Sequence, residues 1–168
     1  NQPLFFPTKP IGDRRNLTQL FLDILEDPLP GRQVFAYEPL LGYEFEKPMS
    51  LEEIYDDLKV DSIPEPVFDS LTGQTVMKIV DVQINLDDVT RLMIKEKWFF
   101  DKRYSTFQVR IIGLCPIRVY PRTVRDPLTN EDVPTGDISK TQLFWVYYPE
   151  IRYYLSKQEV FNPNNDAQ

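Results

Sequence analysis

Apolar residues recur along this chain in two rhythms. In NLTQLFLDILED, residues Leu17, Leu20, Phe21, Ile24 and Leu25 stand a helical turn apart, which gathers them on one face of a helix. Asn16 precedes them as an N-cap, Gln19 completes a capping-box pattern, and Pro28 stops the helix. SLEEIYDDLK repeats the arrangement, with Ser50 and Glu53 as a second capping box and Leu51, Ile54, Tyr55 and Leu58 as the stripe. Spacing also predicts a short helix over LDDVTRLMIKE, capped by Asn85, with Val89, Leu92 and Met93 facing inward. A last helix begins at Pro149, a residue suited to the first helical position, and its stripe is Ile151, Tyr154, Leu155 and Gln158.

The second rhythm has a period of two. TVMKIVDVQINL reads as a strand with imperfect alternation. KWFFD, KRYS and TFQVRIIGLCPIRVY read as strand, turn and long return strand. Phe107, Val109 and Ile111 share one face of the return strand, and Gln108, Arg110 and Ile112 share the other. Gly113 and Pro116 break the pattern, which predicts a bulge or bend. QLFWVYYP is a further strand, in which Leu143, Trp145 and Tyr147 alternate with Phe144, Val146 and Tyr148. Between these elements, SIPEPVFDSLTG reads as a linker and VFAYEPLLGYEFEKP as irregular. PRTVRDPLTNEDVPTGDISK reads as a polar loop, and Arg122–Lys140 is expected to be mobile and to face a partner. The fold class expected is α+β: an antiparallel sheet of three to four strands, helices on one face, and an extended proline-rich N-terminal region.

Charge divides the chain. Residues 1–75 hold 14 acidic and 6 basic side chains and nine of the 15 prolines; residues 76–168 hold 12 acidic and 13 basic. This predicts an acidic proline-rich arm with two helices over 1–75 and an α+β body over 76–168. A formal net charge of -7 opposes a general attraction to nucleic acid or anionic lipid. No apolar stretch is long enough to span a bilayer as a helix. The sequence begins at Asn1 without a methionine, which leads us to expect a processed or trimmed product.

Few chemistries fit these residues. The chain has no histidine, so His-based triads and zinc motifs are excluded. The six glycines are scattered and form no phosphate cradle. Asp126, Asn130 and Asp132 supply oxygens in DPLTNED, but the spacing of a calcium loop is absent and a turn explains them. Cys115 stands alone at the end of an apolar run and reads as a buried small hydrophobe. No cofactor and no metal are expected.

Aromatic residues make up 13% of the chain and occur even between the first prolines, where no core awaits them. Tyr, Trp, Phe and Arg are the usual anchors of protein interfaces. The interface candidates are Leu4, Phe5, Phe6 and Ile11 in the first segment, Trp98, Phe99 and Tyr148 on strands, and the cations Arg118, Arg122 and Arg125. The first segment, residues 1–13, is expected to contact a body other than its own core. A rival reading is a carbohydrate-binding domain or hydrolase that uses carboxylates beside Trp98 or Trp145.

The strings RLMIKEKWFFDKR, VRIIGLCPIRVY, LFWVYYPEIRYYL and EVFNPNNDAQ cover most of residues 91–168. In this order they resemble the gliding-motility GldN/PorN family of the type IX secretion system. The first 75 residues resemble it more loosely, through FEKPMSLEEIY. The resemblance implies a periplasmic, non-catalytic ring component, associated with the outer membrane through a lipoprotein. The partners it implies are that lipoprotein, an inner-membrane-anchored rod protein and further copies of the chain. Members of that family continue past the NDAQ stretch, so a C-terminal region beyond Gln168 is expected. The charge division suits a ring contact in which the acidic 1–75 region of one copy meets the Arg118–Arg125 side of the next.

Overall fold

The computed structural model describes residues 2–5, 7–8, 11, 14–58, 64–69, 74–79, 86–125 and 132–158. In chain order the elements are α1 (Gln2–Phe5), α2 (Leu17–Glu26), β1 (Ala36–Tyr37), β2 (Pro48–Met49), α3 (Leu51–Leu58), β3 (Pro64–Asp69), β4 (Gln74–Ile79), β5 (Val89–Asp101), β6 (Thr106–Arg125), β7 (Asp132–Gln142), β8 (Trp145–Tyr147) and α4 (Tyr148–Leu155).

The class is α+β with antiparallel pairing, as expected, but the main sheet has six strands rather than three or four. Its order is β2-β1-β8-β6-β5, and β7 also pairs with β6. Two of the added strands, β1 and β2, are two residues each at one end of the sheet, and they fall within and at the end of the segment read as irregular. β3 and β4 form a separate two-stranded sheet, so SIPEPVFDSLTG is not a plain linker. Pro64 and Pro66 stand two residues apart, which turns both missing N–H groups toward one edge and leaves the other free to pair.

Two further expectations are corrected. Val89–Asp101 is a strand, not part of a helix, and a turn at Leu86–Asp88 leads into it, closed by the Val89 N–H donating to the Leu86 carbonyl at 3.0 Å. Val89, Leu92 and Met93 fit a helical spacing, yet they lie opposite Arg118, Pro116 and Cys115 on β6. A long partner strand overrides a weak local preference. Asn85, the expected cap, lies outside the described residues. The polar loop is also largely strand: Ile117–Arg125 pairs with Asp132–Gln142, with a register shift between Pro121 and Thr123. Gly136 sits opposite that shift with φ of 85°, a conformation glycine adopts without strain. The expected mobility of the loop's centre, Asp126–Glu131, lies outside the described residues.

The helix signals fare better. The Asn16 side-chain oxygen accepts from the Gln19 N–H at 2.8 Å and caps α2. The box is only half made, because the Gln19 side chain donates to Asp23 instead. Asn16 is buried, and its amide donates to the Pro7 carbonyl at 3.0 Å, tying the first segment to α2. At α3 both halves form: the Ser50 N–H donates to Glu53 Oε2 at 2.7 Å, and the Glu53 N–H donates to Ser50 Oγ at 3.3 Å. Pro149 occupies the second position of α4 rather than the first. Replacing Asn16 by alanine should cost about 1–2 kcal/mol in denaturant unfolding, since it removes a cap and leaves a carbonyl unpaired. Asn16→Asp, which keeps the acceptor, should recover part of it.

One cluster of buried side chains joins both parts of the chain. It contains Phe21 and Ile24 of α2, Ile54 and Leu58 of α3, Leu114 of β6, Phe144 and Val146, and Ile151 of α4. Phe5 packs against it from the N-terminal turn. Tyr154 fastens α4 to the 28–33 turn: its hydroxyl accepts from the Leu29 N–H and donates to the Arg32 carbonyl, each at 2.8 Å.

Candidate functional site

β6 is 20 residues long, but only its middle is covered. Gly113–Pro116 are buried, whereas Thr106–Arg110 and Pro121–Arg125 are exposed. β5 therefore runs out with the first half of β6 as a two-stranded ribbon, joined by a turn at Lys102–Ser105. Asp101 Oδ1 accepts from the Arg103 N–H at 2.9 Å and shapes that turn, and Ser105 takes φ of 50°.

Cross-strand register sorts the ribbon's side chains, since directly opposed residues of an antiparallel pair share a face. Trp98 lies opposite Val109 and Phe100 opposite Phe107. The two phenylalanine rings are 5.1 Å apart. Trp98 is 65% exposed and Phe107 73% exposed. This face continues inward to Ile111, which packs against the core. The other face is polar: Phe99 lies opposite Gln108 and Lys97 opposite Arg110, and the Arg110 guanidinium stands 5.2 Å from the Phe99 ring centre. The three consecutive aromatics are thus split, and Phe99 leaves the patch that Trp98 and Phe100 form. Phe100, Phe107 and Val109 escaped selection as candidates, although alternation across a four-residue turn would have placed them with Trp98.

The other candidates take separate places. Leu4 and Ile11 are exposed, Phe5 is half-buried against the core, and Phe6 lies outside the described residues. Tyr148 is half-buried at the start of α4. Arg118 does not share the setting of Arg122 and Arg125. Its guanidinium pairs with Asp88 at 3.3 Å, stacks 4.6 Å from the Tyr120 ring centre and reaches the Asp57 carbonyl at 3.5 Å. Arg122 and Arg125 are exposed on the far half of β6.

An acidic surface lies on residues 38–57. A cleft of about 360 Å³ is lined by Glu38, Pro39, Met49, Glu53, Asp56 and Asp57. Burial raises the Asp57 carboxyl above its ordinary pKa, and the neighbouring Asp56 and Glu53 charges add to the rise. Neither tryptophan lines this cleft; Trp145 is buried, and Trp98 donates its indole N–H to Glu96 at 3.1 Å. In the same region the loop between β1 and β2 exposes Leu40, Tyr43 and above all Leu41, at 93%. The loop is seated by Phe45 and by the Glu44–Lys95 ion pair at the base of the ribbon.

Cys115 is buried, as its apolar setting predicts, and burial pushes its thiol up to about 12. Among the described residues no group of acidic or sulfur side chains is arranged to hold a metal ion. Among them, too, no helix is long and apolar enough to cross a membrane. The family model described as gliding motility associated protein GldN matches residues 1–168. No curated protein matches the chain.

Proposed function

Because the chain belongs to the family of gliding motility associated protein GldN, we propose that it is a non-catalytic periplasmic subunit of the type IX protein secretion machinery. It binds an outer-membrane lipoprotein of that machinery, contacts the inner-membrane-anchored rod protein, and joins further copies of itself in a ring. The observation that carries this reading is the ribbon of β5 and β6, whose apolar face lies uncovered beyond the core. Exposed apolar faces rimmed by charge mark contact sites between proteins. A hydrolase built on carboxylates and tryptophan gains no support, because neither tryptophan lines the acidic cleft, and Glu96, which accepts from Trp98, stands on the exposed ribbon.

Capture by the immobilised lipoprotein tests the proposal. The folded chain should be retained, more weakly as salt rises, because exposed charge pairs at the rim are screened. A chain that is folded by circular dichroism and is not retained at any salt concentration overturns the reading.

A further inference from the structure

We propose that the aromatic face of the β5–β6 ribbon seats on a second copy of the chain, against the acidic and apolar surface of residues 38–57. This deepens the assembly reading above and rests on it. The ribbon's two faces differ in chemistry: Trp98, Phe100, Phe107 and Val109 stand on one side, with Glu96 at its base accepting from the Trp98 indole, and Lys97, Phe99, Gln108 and Arg110 stand on the other. A ribbon of two strands gains little stability from its own pairs. Exposing four large apolar side chains on it costs solvation that contact with a partner would recover.

Charge identifies the occupant. Residues 95–110 carry five cations against Glu96 and Asp101, on a chain whose net charge is -7; Lys95 is paired with Glu44, and Lys97 and Arg110 stand on the face away from the rings, so Lys102 and Arg103 are the cations at the ribbon's tip. Glu38, Glu53 and Asp57 stand on the opposite kind of surface, where they line one cleft with Asp56. That surface also offers exposed leucines, Leu40 and Leu41, for the aromatic rings. Apolar area thus faces apolar area, and the basic tip of the ribbon faces an acidic surface. The two patches do not cover each other within one chain, since Trp98, Phe107 and Leu41 all remain exposed. They are different patches, so the contact is heterologous and repeats head to tail.

Two variants that each add one cysteine, Phe107→Cys and Leu41→Cys, test the contact directly. The buried Cys115 thiol, pushed up to about 12, is a poor competitor for the reagent. A short bismaleimide should join the two variants when they are mixed and should leave either variant alone uncoupled to itself at those sites. In parallel, Trp98→Ala/Phe107→Ala, which alters only exposed positions, should keep the circular dichroism spectrum. In sedimentation it should weaken self-association by about tenfold or more. A wild-type chain that stays monomeric at every concentration overturns the proposal, as does self-association unchanged in the double variant. Lipoprotein capture separates the two levels. If the double variant self-associates normally but is no longer captured, the ribbon belongs to the lipoprotein and the second-copy assignment falls, while the assembly reading stands. If the wild-type chain is never captured, the assembly reading itself falls.

Discussion

Ile54→Ala should lower the stability of the whole chain by about 2–5 kcal/mol, the range for truncating a fully buried aliphatic side chain. Ile54 lies on α3 and is 1% exposed. It belongs to a cluster that also holds Leu114, Phe144 and Val146 from the sheet. At this chain length the loss corresponds to a fall in Tm of about 5–15 °C. The readout separates two pictures of the molecule. Trp145 is buried on β8, so its fluorescence reports the sheet, whereas far-ultraviolet circular dichroism also weighs the helices. With one shared core, both signals should shift together in a single transition. Two transitions, with Trp145 unmoved, would show an acidic unit over residues 1–75 that unfolds apart from the rest.

The legible part of this fold is the part fixed by near neighbours. α2, α3 and α4 each carry a stripe at helical spacing, and α2 and α3 also carry a capping residue. Those signals act within a few residues, so they survive folding. The turn at Lys102–Ser105 is local too, and the hairpin around it follows. The sheet's extent is a different matter. β1 and β2 are two residues each, too short to alternate visibly. β7 reads DVPTGDISKTQ, with two turn formers and no apolar period; it is a strand because β6 offers an edge to pair with. β5 follows the same rule, since its helical spacing is weak beside 12 opposed residue pairs with β6.

The site follows the same division. The aromatic cluster at Trp98–Phe100 is visible in the sequence, but which ring joins which face depends on register. Arg118, Arg122 and Arg125 look like one patch at close spacing. Asp88, 30 residues before Arg118, takes that guanidinium, and such a partner leaves no trace in the neighbouring sequence. Leu41 stood inside a stretch dismissed as irregular. Its exposure comes from the small β1–β2 hairpin, whose strand β1 is set by pairing with β8.

Besides that pairing, the hairpin rests on a close approach of Phe45 to Gly113, which Gly113→Ala should disturb. A methyl group at Gly113 would strike the Phe45 ring, with Cε1 at 2.9 Å, and would lie 3.1 Å from the Val146 carbonyl. Moving the ring away is not free. Phe45 holds φ of 89°, unusual for a bulky side chain, and its ring meets the edges of Tyr37, Trp145 and Tyr147 at 5.5–5.9 Å. Overpacking of this kind costs about 1–3 kcal/mol. Phe45→Ala alone should also destabilise, through loss of those ring contacts. In the double variant the new methyl has no ring to strike, so the combined cost should fall short of the sum of the single costs. Additive costs would mean that the chain absorbs the methyl without displacing Phe45. The same substitution reaches the surface. Glu44, next to Phe45, pairs with Lys95, and the loop they seat carries Leu40 and Leu41. Gly113→Ala should therefore weaken self-association although Gly113 is buried and meets no partner, and Phe45→Ala should weaken it too. Undiminished self-association in both variants would show that the loop reaches its partner without Phe45 to seat it.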